Sequence, residues 1–147
     1  MIKLVESDTI KLLRECDAGV KMGVKSIEDV IESVKSQDFK TTLCDAKYEH
    51  EELGGEIRGH LARLHDDGKD PNPVATGMSW IKTNVKLAMK ESDKTVASLM
   101  TDGCNMGVKS LNRYLNQYEA ADEFSKDITK RLINIEEKLA TDIREYL

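Results

Sequence analysis

The sequence predicts an all-α protein that folds as one antiparallel four-helix bundle, and three observations support this prediction. Apolar residues recur at three- and four-residue spacing through four long segments, which is the pattern of amphipathic helices. Charged residues make up 33% of the chain and aromatic residues only 5%, a balance typical of long helices with solvated faces. The only two prolines, Pro71 and Pro73, lie between the second and third segments and interrupt none of the four.

The first helix is predicted to begin at Ser7 or Asp8, both good N-cap residues, and to end near residue 36. Residues 36–38 offer a new N-cap for a second helix that leads to Gly68, a candidate C-cap glycine. The apolar stripe of the first helix is Leu13, Cys16, Val20, Val24, Ile27, Ile31 and Val34, and that of the second is Ala46, Leu53, Ile57, Leu61 and Leu64.

Residues 66–77 fit neither helical nor strand periodicity and are predicted to form a crossover between the two halves of the chain. A short extra helix is predicted next, and Ser92 with Asp93 then offers the N-cap of a third long helix. The apolar stripes are Trp80, Ile81, Val85 and Ala88 in the short helix, Val96, Met100, Cys104, Val108, Leu111, Leu115 and Tyr118 in the third long helix, and Phe124, Ile128, Leu132, Ile135, Leu139, Ile143 and Tyr146 in the fourth.

The two halves of the chain resemble each other. Residues 22–26 and 106–110 share the sequence Met-Gly-Val-Lys-Ser at an offset of 84, and residues 57–61 align with residues 143–147 at an offset of 86. These matches predict a duplicated helical hairpin, with one copy at about residues 8–66, a crossover and short helix at about 67–91, and a second copy at about 92–147. The alternative is chance similarity between amphipathic helices. The whole chain, residues 1–147, is predicted to be a single domain.

Four short stretches carry a resemblance to a known group: the region around Gly19, residues 70–73 (Asp-Pro-Asn-Pro), residues 80–82 (Trp-Ile-Lys) and residues 102–104 (Asp-Gly-Cys). With them, the chain resembles an uncharacterised bacterial ferritin-like domain family related to the rubrerythrin and bacterioferritin group. The resemblance implies two helical hairpins joined by a long crossover. In metal-binding members of the group, helices one and three each supply a Glu, and helices two and four each supply Glu-x-x-His, to a di-metal centre.

Several of those ligand positions hold other residue types in this chain. Val20 stands where the first helix would supply its Glu, and Cys104 stands where the third helix would. The nearest match on the second helix is Glu49-x-x-Glu52, which lacks the His. The repeat-equivalent of Glu52 is Lys138, so one hypothesis is that a Glu49–Lys138 pair replaces the metal. The alternative is that both side chains extend to solvent.

Shifting the register by one residue brings His50 and Glu136 into the ligand positions, but the partner positions then hold Leu53 and Leu139. No six-ligand site assembles in either register. We therefore predict no metal ligand and no cofactor, with Glu49, Glu52 and His50 as the nearest metal candidates. The histidines, His60 and His65 included, are expected to face solvent or to form hydrogen bonds.

Glycines fall at equal positions in the two halves, at Gly19 and Gly23 and at Gly103 and Gly107. Each glycine inside a helix costs about 1 kcal/mol relative to alanine, so each needs a compensating role. Close approach of two helices is one explanation, and room for a small ligand is the other. Three more glycines are expected to mark a kink or π-bulge in the second helix: Gly54, Gly55 and Gly59.

The three cysteines, Cys16, Cys44 and Cys104, form no Cys-x-x-Cys motif and are predicted to be reduced, buried thiols without a catalytic role. A net charge of −5 without a run of basic residues argues against a nucleic-acid partner. The sequence shows neither a secretory signal nor an apolar stretch of membrane-spanning length, so a cytoplasmic protein without a membrane partner is expected.

Three functions fit these observations. The favoured hypothesis is a non-catalytic ferritin-like bundle that serves as a structural or interaction module. The alternatives are a metal-binding or oxidoreductase protein with a degenerate site near Glu49 and Glu52, and a carrier of a small apolar ligand. Trp80, Ile81 and Val85 are predicted either to form a homodimer contact or to cover the end of their own bundle.

Overall fold

The computed structural model describes residues 7–71 and 92–147 of the chain. These residues form four α-helices, a terminal 3₁₀ turn and no strand, which confirms the predicted all-α four-helix bundle. The short helix predicted around Trp80 lies outside the described residues. The elements are α1 (Asp8–Ile31), α2 (Gln37–Arg63), α3 (Asp93–Gln117), α4 (Glu123–Asp142) and the 3₁₀ turn (Arg144–Tyr146).

Each long helix begins at a polar N-cap whose side chain accepts a hydrogen bond from the backbone N–H three residues further on. An acidic residue in each first turn adds a favourable interaction with the helix dipole. The helix starts predicted from the sequence at Ser7, at residue 36 and at Ser92 are therefore correct. The four N-caps are Ser7, Ser36, Ser92 and Asp122.

Helix α1 ends at Ile31, several residues before the predicted end, because the next residues form the turn into α2. That turn is held from the other half of the chain. The backbone N–H groups of Lys35 and Ser36 donate to the two carboxylate oxygens of Asp93, at 2.7 and 2.9 Å. Two backbone donors of the turn, immediately before the start of α2, are thereby satisfied.

Helix α2 ends at Arg63, and the predicted cap at Gly68 is wrong. His65 instead adopts the left-handed conformation, with φ of 59°. Its N–H donates to the carbonyl of Ala62 at 3.0 Å, and the N–H of the following residue donates to the carbonyl of Leu61 at 2.9 Å. This pair of bonds is the Schellman motif. Gly68, with φ of 86°, lies beyond it in the loop.

Helices α1 and α2 form one hairpin and α3 and α4 the other, and α4 packs against both helices of the first hairpin. Arg14, near the start of α1, donates from Nε to Asp66, just past the end of α2, at 3.0 Å, so these helices are antiparallel. At the same end of the bundle, the first residues of α1 hold the α3–α4 turn: the N–H of Ala120 donates to Asp8 at 3.0 Å, and that of Asp122 donates to Thr9 at 2.9 Å.

The apolar core consists of two clusters, one towards each end of the bundle. Along α2 the first ends at Ala46 and the second begins at Leu53, so His50 lies between them. Glu136 lies between the clusters in the same way on α4. The middle layer of the bundle is therefore polar. Within residues 7–71 and 92–147, no helix has the length and apolarity needed to cross a lipid bilayer.

Candidate functional site

The polar layer contains a hydrogen-bonded pair formed by His50 of α2 and Glu136 of α4. Nε2 of His50 lies 2.6 Å from Oε1 of Glu136. The two side chains are 1% and 12% exposed, so the pair is almost completely shielded from water. Charge-assisted hydrogen bonds are stronger than neutral ones, and such bonds become stronger still in a medium of low polarity. This pair is the main polar link between the hairpins inside the core.

The neighbouring backbone fixes which protons the pair can hold. Nδ1 of His50 lies 2.7 Å from the carbonyl oxygen of Ala46, and a carbonyl can only accept, so Nδ1 carries a proton. One further proton then lies between Nε2 and Glu136. Burial on its own lowers the pKa of His50, but the hydrogen bond and charge of Glu136 and the bond to Ala46 outweigh burial, and the pKa is raised.

One glycine of α1, Gly23, and one glycine of α3, Gly107, face this pair. A Cβ atom at Gly23 would lie 2.7 Å from Nε2 and Cδ2 of His50, closer than real Cβ contacts come. A Cβ at Gly107, which is 84 positions after Gly23, would lie 3.5 Å from Oε2 of Glu136. The space left by Gly23 is therefore filled by the imidazole of the adjacent helix. At Gly103, by contrast, an added Cβ would meet nothing within 4 Å.

Cys104 of α3 completes the surroundings of Glu136. Burial raises the pKa of the Cys104 thiol, and the charge and hydrogen bonding of Glu136 raise it further. The sulfur therefore stays protonated and acts as a donor towards the carboxylate. A thiol in this state is a poor nucleophile and a poor metal ligand, because both roles require the thiolate.

The three metal candidates have separate partners in the structure. Lys138 Nζ lies 3.2 Å from Glu49 Oε1, so the hypothesised ion pair forms, but the two side chains are 60% and 35% exposed. It lies on the surface instead of replacing a metal at the centre, because Glu49 points about 100° away from His50 around the helix. Glu52 accepts a hydrogen bond from the exposed Tyr48 hydroxyl at 3.0 Å. Among the described residues, no group of three or more His, Cys, Asp or Glu side chains is arranged to hold a metal ion.

The remaining cysteines differ in exposure. Cys16 is buried as predicted, its thiol lies 3.2 Å from the Thr129 hydroxyl, and burial raises its pKa to about 11. Cys44 is exposed, so the prediction of three buried thiols is wrong for this residue. Its neighbour Leu43 points into the core, and a rotation of about 100° per residue turns Cys44 outward.

Asp17 is a second buried carboxylate, and sequence reasoning missed it because the residue lies among apolar positions without a motif. Its side chain is 0% exposed. Lys21 lies 2.8 Å from one carboxylate oxygen, and the backbone N–H of Lys69 donates to the same oxygen at 3.0 Å. Asp17 thus attaches the loop after α2 to α1, which is a structural role.

Two depressions lie on the surface of the bundle. One, of about 70 Å³, lies between α2 and α4 and has a largely charged lining that includes Asp45, Glu49 and Lys138. The other, of about 260 Å³, lies between α1 and α2, with Val20 and Val24 among charged side chains. Charged residues make up half of the lining of the first and most of the lining of the second, whereas a carrier of an apolar ligand needs a pocket lined mainly by hydrophobic side chains. The second helix, which contains Gly54, Gly55 and Gly59, is continuous α-helix without a π-helical turn, so the expected π-bulge is not formed.

No protein-family model matches the chain, and neither a curated protein nor a solved structure matches it. The site is therefore interpreted from its own geometry. The sequence did hold one signal for the central pair: His50 and Glu136 are 86 positions apart, the same offset that aligns the second helix with the fourth. The alignment did not reveal that the side chains of His50 and Glu136 form a hydrogen bond with each other.

The fit of His50 against α1 can be tested with Gly23→Ala. The added methyl group would overlap the imidazole, so we expect a loss of about 1–3 kcal/mol in the free energy of unfolding. Gly103→Ala is the matched control, because its methyl group enters open space and should stabilise its helix by roughly 0.5–1 kcal/mol. Urea denaturation of both variants gives the comparison. Equal stabilisation by the two substitutions would contradict the described contact.

Proposed function

We propose that this protein is a ferritin-like helical bundle that acts as a structural or interaction module and has no di-metal centre. The observation that carries the proposal is the bond between His50 and Glu136. These residues occupy ligand positions in one register of the resemblance, yet here they satisfy each other. Both ring nitrogens of His50 are engaged, one by Glu136 and one by the Ala46 carbonyl. A histidine needs a free ring-nitrogen lone pair to bind a metal.

The types of side chain at the centre support the same conclusion. A pair of iron ions needs several hard oxygen ligands, and metal-binding relatives supply carboxylates from all four helices. In this chain α1 supplies Val20, which has no donor atom, and α3 supplies the protonated Cys104. The buried pair adds a single carboxylate, that of Glu136. This set is suited to a closed hydrogen-bonded core and poorly suited to a di-metal centre.

The proposal includes the origin of the bundle by duplication of a helical hairpin. Its support is the equivalent placement of two glycines against two equivalent side chains, Gly23 against His50 and Gly107 against Glu136. A cytoplasmic location fits the reduced state of Cys16, Cys44 and Cys104.

Metal content tests the absence of a di-metal centre. We expect protein purified from iron- and zinc-supplemented cells to contain substoichiometric metal, because no open ligand set is available at the centre. Addition of ferrous iron in air should produce no absorption band of an oxidised di-iron centre. Elemental analysis combined with the iron titration is the measurement. Stoichiometric iron together with that band would overturn the proposal in favour of the oxidoreductase alternative.

The proposed partner is a second copy of the chain, which would make contact through Trp80, Ile81 and Val85. A dimer should give a light-scattering mass of twice 16.5 kDa, and replacing Trp80 and Ile81 with serine should reduce the mass to that of one chain. Exposed Phe124 offers a control, since Phe124→Ser alters an apolar surface residue elsewhere and should leave the mass unchanged. A wild-type mass of 16.5 kDa across micromolar concentrations would disprove the dimer.

A further inference from the structure

We propose that the His50–Glu136 pair is a one-proton latch between the two hairpins, closed while the pair holds its shared proton and released when rising pH removes that proton. His50 belongs to the first hairpin, through α2, and Glu136 belongs to the second, through α4. Titration of this single site therefore acts on the interface between the two halves of the bundle. The proposal concerns the dependence of the hairpin interface on pH and does not depend on whether a second copy of the chain binds.

The geometry leaves the pair with one proton that it can lose. The Ala46 carbonyl holds the Nδ1 proton, so the titrating proton is the one between Nε2 and Glu136 Oε1, which lie 2.6 Å apart. Once it is removed, two acceptors face each other across that short distance, and the carboxylate keeps its negative charge without its main donor. A buried acceptor or charge without a partner is strongly unfavourable. Moving the remaining ring proton to Nε2 would restore the bond to Glu136 but would set Nδ1 against the Ala46 carbonyl, so either tautomer leaves two acceptors in contact. Separation of the helices or entry of water relieves this cost.

The groups around the pair favour this single titration. From α1 the pair meets Gly23, which carries no charge, and from α3 it meets the Cys104 thiol, whose pKa is raised. The negative charges of Glu136 on α4 and of Glu49 on α2 both raise the pKa of His50. The thiol therefore remains protonated while the imidazolium loses its proton.

The other polar links between α2 and α4 persist through the same pH range. Lys138 bonds to Glu49, and this bond raises the pKa of the lysine. The Glu56–Arg131 pair behaves in the same way: its bond lowers the pKa of Glu56 and raises that of Arg131. Both pairs are exposed, so each contributes little to stability, and the pKa shifts of Lys138, Glu56 and Arg131 all lead away from the neutral and mildly alkaline range. Of these three polar links, only the buried pair titrates there.

The direction of the effect follows from the raised pKa of His50. In the unfolded chain the imidazole titrates near its ordinary value of 6.5. The pair's contribution to stability is complete below that pH and is lost as pH rises through the higher pKa of the folded state. Between these two pKa values, the folding equilibrium constant should fall by up to about tenfold per pH unit.

The latch is tested by NMR on isotope-labelled protein, titrated from about pH 6 to pH 10 with a metal chelator present. We expect the His50 ring to titrate above 6.5, with the backbone amides of Gly23 and Gly107 shifting at the same midpoint. His50→Gln retains a donor towards Glu136 but has no proton to lose, so both glycine amides should become insensitive to pH over this range. His60→Gln is the control, since that ring packs on Phe124 at 4.4 Å and its loss should leave the transition unchanged.

Three results would overturn the latch: a His50 midpoint at or below 6.5, a His50 transition that leaves both glycine amides unmoved, or the same amide transition in His50→Gln. If that variant does not fold, Glu136→Gln replaces it, and removal of the carboxylate charge should lower the pKa of His50 relative to the wild type. An unchanged pKa there would also overturn the proposal. Because the chelator excludes metal, these outcomes are separate from those of the metal analysis.

Discussion

A hydrogen-bonded pair buried at the centre of an apolar core must have each of its polar atoms satisfied, and the middle of this bundle is organised by that requirement. Ala46 accepts from one nitrogen of His50 and Glu136 binds the other. Gly23 leaves room for the imidazole, and Cys104 lies as a donor beside the carboxylate. All four helices therefore contribute to one polar layer, and a change at any of these positions affects the interface between the hairpins.

The apolar clusters on either side of that layer supply most of the burial, and bonds at the ends of the bundle complement the pair at the centre. The first residues of α1 hold the α3–α4 turn, and Asp93 at the start of α3 holds the α1–α2 turn. Each hairpin thus satisfies backbone groups of the other. Apolar packing alone tolerates sliding of one helix past another. Two buried polar side chains that must contact each other favour a single register of the helices.

Much of the fold was predictable because amphipathic periodicity and polar N-caps are local features of a sequence, as Ser36 and Ser92 illustrate. The end of α2 was not predictable in this way, because the Schellman motif requires His65 to adopt a positive φ that the residue type alone does not indicate. The sequence match at an offset of 86 aligned His50 with Glu136. Their direct bond depends on how the two hairpins face each other in space, which a linear alignment does not contain.

Because Glu136 and Ala46 engage both ring nitrogens of His50, we infer that neither nitrogen is available for a metal. Nitrogen chemical shifts of the His50 ring at about pH 6 test it most directly, measured before and after addition of excess zinc. We expect both ring nitrogens to carry protons and to keep the same chemical shifts when zinc is added. An unprotonated Nδ1, or a shift of either nitrogen that saturates with zinc, would contradict it.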